Sequence, residues 1–173
     1  MNVVKDPDNL RSQRLGHLIR QYEKDLLRIC CMYLRDVSLA EDAVQETFLK
    51  AYRHMESFRG ESSEKTWLIS IAVNVCRDMR RSAWFRFVDR SVDLDALQIS
   101  AEGISMTKLA LAQEIMRLPR REMEAVLLYY YADLPMREIA RTLHVSEPAV
   151  SKRLAKARHM LRDALKGGAA DEA

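Results

Sequence analysis

Six cationic side chains, Lys152, Arg153, Lys156, Arg158, Arg162 and Lys166, fall between Ser151 and Lys166 against one acid, Asp163. Fixed cations on one element neutralise phosphates, so a polyanionic partner is the first chemistry to consider. A second group joins Asn74 and Asp78, one helical turn apart, to Arg77, Arg80 and Arg81. Two short polar side chains at that spacing can face one ligand or each other. A third sets Asp42, Gln45 and Glu46 beside Leu49, either as a solvated helix face or as a docking surface for a larger protein. None of the three is catalytic. His17, His54, His144 and His159 are scattered, no glycine-rich phosphate loop or nucleophile motif occurs, and Glu41, Asp42 and Glu46 have no metal spacing. The chain is therefore expected to be no enzyme and to need no metal, cofactor or small-molecule substrate.

The cationic group must be carried by a helix. Val150, Leu154, Ala157 and Leu161 recur at helical spacing, leaving Lys152, Arg153, Lys156 and His159 off that stripe. Before it, Ile139, Ala140 and Leu143 give one apolar side to a short helix over 136–143, and His144-Val145-Ser146 interrupts it. Ser146 suits the N-cap of the following helix, and Pro148 falls in its first turn, where no amide is missed. Two helices joined by a three-residue turn, the second basic, form a helix-turn-helix able to enter a major groove.

The rest of the chain is read as helical too. Its 173 residues hold one medium domain or two small ones, with a hydrophobic fraction of 48%, 31% charged residues and few glycines or prolines. The net charge of +3 is modest, so the argument for nucleic acid rests on where the charge sits. Residues 1–12 read as a frayed arm, and 13–82 as a first helical domain. Leu15 to Leu34 forms one helix, a capping box at Ser38 and Glu41 opens a second that runs to Met55, 57–65 is a loop, and Thr66 begins a third ending near Arg81. Helical periodicity lapses over 83–105, which reads as a linker. Trp84, Phe85 and Phe87 there have three open uses: packing on a domain, binding a partner or extending the preceding helix. A second domain covers 106–166, with a helix from Arg120 to Tyr131 before the pair. Residues 167–173 read as a disordered tail. Cys30, Cys31 and Cys76 fit buried thiols in a reducing cytosol. No apolar run approaches the ~20 residues of a membrane span, so the chain is expected to be cytoplasmic, without membrane insertion.

Taken together, the pattern resembles an extracytoplasmic-function sigma factor of the bacterial sigma-70 family over nearly the whole chain. Asp42-Ala43-Val44-Gln45-Glu46-Thr47-Phe48 is similar to the family's D-x-x-Q-E-x-F helix, and Thr66-Trp67-Leu68 with Ile71-Ala72, Asn74, Asp78 and Arg80-Arg81 to its next signature. Leu118-Pro119, Tyr129 to Tyr131, Glu138-Ile139-Ala140, Val145-Ser146, Arg153-Leu154 and Ala157-Arg158 are similar to its promoter-reading domain. The resemblance implies an all-α fold of two small helical domains and a promoter-specificity subunit. Asp42, Gln45, Glu46 and Leu49 would dock on the clamp helices of the RNA polymerase largest subunit, with the flap region as a further contact. Arg59, Lys65, Asn74, Arg77, Asp78, Arg80 and Arg81 would meet the unwound −10 strand, where extruding a base costs a few kcal/mol. Ser151, Lys152 and Lys156 would approach −35 base edges, with Arg153 and Arg158 on phosphate. An anti-sigma factor, often membrane-bound in this family, would be the regulating partner. The chain departs from the family pattern at Pro135, where serine usually caps the first helix of the pair, at Pro148-Ala149-Val150, where Gly-Thr-Val is usual, and at Ser151, where a basic residue often stands. The alternative is a dimeric helix-turn-helix regulator that binds duplex DNA unaided.

Overall fold

The structure, a computed structural model, describes residues 7–82 and 106–170. The first six residues, the expected linker with Trp84, Phe85 and Phe87, and the last three residues lie outside the described part. The described residues form seven α-helices and no strand.

Helices α1 (Pro7–Leu34), α2 (Val37–His54) and α3 (Glu64–Arg81) pack pairwise into a three-helix bundle. Its core comes from one side of each: Leu18, Leu26 and Ile29 of α1, Ala43, Val44, Phe48 and Ala51 of α2, and Leu68, Ala72, Val75 and Cys76 of α3. Helix α1 starts at Pro7, so residues 7–12 are not a frayed arm. Arg11 anchors that extra length: its guanidinium donates to the Tyr52 carbonyl at 3.2 Å, lies 3.3 Å from Glu56 and stacks over the Tyr52 ring. Two helix starts also differ from expectation. Asp36, not Ser38, caps α2, its Oδ1 accepting from the Leu39 amide at 2.8 Å. Ser63 caps α3, with the Thr66 backbone N–H donating to Ser63 Oγ at 3.1 Å, so α3 opens two residues before Thr66.

The second module contains α4 (Met106–Arg117), α5 (Arg120–Val126), α6 (Met136–Leu143) and α7 (Glu147–Ala170). α5 runs on into a π-helical turn over Leu127–Tyr131, where the Ala132 amide reaches back to the Leu127 carbonyl at 3.1 Å. α7 packs on α4, α5 and α6, and Val150, Leu154 and Ala157 are fully buried along it, as their spacing predicts. It continues to Ala170, so residues 167–170 are helical rather than a disordered tail. All three cysteines are free and buried. A hydrogen bond with Cys76, then burial, holds the Cys30 thiol well above its ordinary value.

The two modules touch. α1 packs on α4, and the buried residues of both halves join in one cluster. The end of α1 shows why: Ile29, Cys30, Cys31, Met32, Tyr33 and Leu34 are all at most 3% exposed. A helix buried all round must have neighbours on every side, and α2 and α3 cover only part of this one.

Candidate nucleic-acid interface

The helix-turn-helix is built as its sequence requires. α6 ends in His144, which sits in the left-handed region (φ 55°), and the Val145 amide donates to the Ala140 carbonyl at 3.0 Å. This six-to-one closure satisfies a last-turn carbonyl and reverses the chain. Ser146 then caps α7, its Oγ accepting from the Ala149 amide at 3.3 Å. Pro135 starts α6 without a side-chain cap.

On α7, Ser151 and Lys152 are exposed on the N-terminal half, the end that enters a groove in such motifs. The other three expected −35 residues are more tied to the protein. Lys156 Nζ lies 2.9 Å from Glu122 Oε1, a carboxylate only 8% exposed. Burial works to raise the Glu122 carboxyl, but the Lys156 hydrogen bond leads the opposing contacts and holds it below its ordinary value, with Arg153 adding to the effect. Arg158 donates to the Tyr130 hydroxyl at 2.8 Å and lies over the Tyr129 and Tyr130 rings.

In the first module the loop between α2 and α3 encloses a hollow of about 360 Å³, lined by Ser57, Phe58, Arg59, Glu61, Ser62 and Trp67. Phe58 and Trp67 stack at 4.7 Å between ring centroids, and Gly60 turns the loop at φ 73°. Paired aromatic faces beside an exposed arginine suit a splayed-out base. Phe58 was not among the expected site residues; an aromatic inside the polar run SFRGESSEK was the available signal. Lys65 is drawn aside, 3.5 Å from Asp25.

Along α3, Asn74, Asp78 and Arg81 are exposed, and Arg81 lies 3.8 Å from Asp78. Arg77, expected on the same open face, is 15% exposed: it meets the second module, with Nε 3.7 Å from Glu124 and Nη1 donating to the Thr142 carbonyl at 3.1 Å. Arg80 donates to the Tyr33 carbonyl at 3.3 Å and lies over the Tyr33 ring. On α2 the expected docking residues do share one outward face: Asp42, Gln45 and Leu49 are exposed, Leu49 at 51%, and Glu46 is half-buried.

These two regions match known proteins. Residues 18–86 match the description of sigma-70 region 2, and residues 108–161 that of sigma-70 region 4. The ECF RNA polymerase sigma factor SigM of Bacillus subtilis is 31% identical over 164 residues, covering 91% of this chain and 99% of that protein. The chain belongs to the ECF sigma factors. A probable RNA polymerase sigma factor, RfaY of Xanthomonas campestris, is 32% identical over 162 residues, but the match covers 40% of its length and 88% of this chain. The fold also resembles the sigma factor RpoE from Bartonella quintana, solved in complex with the anti-sigma factor NepR, with a TM-score of 0.66, 21% identity and coverage of 87% of this chain and 97% of that one. Membership makes this ECF sigma factor an RNA polymerase specificity subunit for transcription initiation, and it disfavours the stand-alone regulator. Among the described residues, no helix is long and apolar enough to cross a membrane.

Proposed function

We propose that this ECF sigma factor docks on core RNA polymerase through α2, opens and holds the −10 element with the α2–α3 loop and α3, and reads the −35 duplex with the N-terminal half of α7. The observation that carries the reading is the two-sidedness of α2. Its inner side is fully packed, while Leu49 stands half exposed amid Asp42, Gln45 and Glu46. An apolar residue next to Glu46, with Asp42 a turn further back, suits a partner helix that offers a basic residue beside an apolar spot. The clamp helices of the largest subunit are the partner this reading assigns, with the flap region contacting the second module.

For the −10 strand, the hollow at Phe58 and Trp67 supports capture of one extruded base, with Arg59 in its lining, Asn74, Asp78 and Arg81 exposed further along α3, and Lys65, Arg77 and Arg80 available on release from their present partners. For the −35 duplex, Ser151 and Lys152 are free to approach base edges, while Arg153, Lys156 and Arg158 flank them. The chain works in the cytoplasm, where core polymerase and promoter DNA are, and an anti-sigma factor restrains it by covering the docking faces. No step requires a cofactor or a reaction catalysed by this chain.

The test is charge reversal on the docking face. Glu46→Arg weakens binding to purified core polymerase about tenfold or more, equivalent to about 1.4 kcal/mol, without altering promoter preference in run-off transcription. Unchanged assembly would show that the docking face lies elsewhere.

A further inference from the structure

The joint between the modules is built around one buried carboxylate. Glu124 of α5 is 4% exposed. It accepts from the Tyr33 hydroxyl at the end of α1 and from Arg120 Nε at 3.1 Å, and Arg77 of α3 completes the ring of partners at 3.7 Å. Two of these three partners belong to the first module. Arg77 reaches further, donating to the Thr142 carbonyl in the last turn of α6, where a cation offsets the helix's unsatisfied carbonyls. Arg35, just past α1, donates to the Met116 carbonyl at the end of α4, a second polar tie across the same joint.

The joint is also poised to open. Buried charges need partners, and Glu124 keeps Tyr33 and Arg77 only while the modules stay docked. Arg77 Nε is buried without a hydrogen-bond acceptor, since 3.7 Å is ion-pair distance and no more. An unsatisfied buried donor is a penalty that separation removes, because water supplies what Glu124 does not. Contacts between domains of one chain are in general of the reversible kind.

We propose that the docked arrangement is a self-masked state of the free chain, in which Glu124 latches the second module onto Tyr33 and Arg77 and withholds Arg77 from DNA phosphate while the docking face of α2 stays open. The order of events follows from which face is free. Core polymerase meets α2 first, and the latch must part before α3 can grip the −10 strand. The masking rests on the proposed role of Arg77; the latch itself does not.

The experiment uses the full chain with dyes at Glu23→Cys and Met160→Cys, two exposed sites, one in each module; the native cysteines are buried and label poorly. The unaltered joint gives high energy transfer, Glu124→Arg lowers it by setting a third cation against Arg77 and Arg120, and Tyr33→Phe shifts the opening equilibrium about tenfold through loss of one hydrogen bond to a buried charge. Circular dichroism checks that helix content is kept; where Glu124→Arg fails to fold, Tyr33→Phe carries the test. Equal transfer in all folded variants overturns the latch. Masking is read separately with a fluorescent dT12 oligonucleotide at low salt. Apparent affinity scales with the open fraction, so Tyr33→Phe, which changes no charge, tightens binding about tenfold when the closed state dominates, and adding Arg77→Ala abolishes that gain. An open joint with no gain in oligonucleotide binding overturns the masking. Failure of Glu46→Arg to disturb polymerase assembly would strike the docking assignment alone, because it leaves the energy-transfer result unaltered.

Discussion

Helices α2 and α3 share a length of eighteen residues and a plan, one side in the bundle core and a charged side turned outward, yet their charged sides end differently. α2 leaves Leu49, Asp42 and Gln45 in water, whereas α3 gives up Arg77 to the second module. The difference lies in what folds against each. Glu124 is a carboxylate in a nearly dry place, and its burial is tolerable only where hydroxyls and guanidiniums converge on it. Amphipathic spacing identifies the side of a helix that leaves its own bundle. It does not tell water from a neighbouring module.

The sharpest way to break this comparison uses adjacent residues on opposite sides of α2. Phe48 is 6% exposed and Leu49 51%. Phe48→Ala removes a ring from the core and costs about 3–5 kcal/mol of stability, read by chemical denaturation. Leu49→Ala changes stability by less than about 0.5 kcal/mol and shows its effect in polymerase binding instead. Similar losses of stability from both would mean that α2 has no free face.

Much of this was legible in the sequence, for reasons that differ by region. The helix pair of the second module was readable almost to the residue because its determinants are local: apolar spacing at Ile139, Ala140 and Leu143, a three-residue interruption, and Ser146 as cap. The cap of α2 and the start of α3 were misplaced because several acceptors stand close together. Asp36 and Ser38, or Ser63 and Thr66, differ less in chemistry than in backbone angles, which residue type does not reveal. The fate of Arg77 was out of reach, since its partner carbonyl is 65 residues away. Its signal was indirect. The run from Ile29 to Leu34 carries apolar residues on every side, too many for the single stripe that three helices need.

Two residues before Glu124 stands a second buried carboxylate, and the pair sharpens the contrast between joint and module. Glu122 takes its cation from within its own module, Lys156 of α7. Glu122→Gln therefore destabilises the second module by about 1 kcal/mol, discounted because Lys156 is largely exposed, and leaves the joint intact. The sign with pH follows from the lowered folded value. The carboxylate's contribution is present above its ordinary value of 4.5 and is lost as pH falls through the folded value, so variant and parent converge in acid. Denaturation curves at pH 7 and at successively lower pH measure this. A difference that grows on acidification would refute the pairing.

The smallest effect comes from the helix ends, where module and joint can be separated at a single backbone angle. Arg35 and His144 both hold φ near +55 to +59°, a conformation that costs a non-glycine residue about 1–2 kcal/mol. Glycine adopts it without strain but loses more chain entropy on folding, so the net gain is about 0.5–1 kcal/mol where the side chain does nothing else. His144 is exposed, and its backbone alone closes α6, so His144→Gly raises the melting temperature by a few degrees. Arg35→Gly receives the same relief at φ 59° but gives up the guanidinium that ties α1 to the Met116 carbonyl. If the joint is a real part of the free molecule's stability, the two substitutions move the melting temperature in opposite directions. A matching rise in both would mean that the Arg35 side chain contributes nothing across the joint, leaving Glu124 to hold the modules by itself.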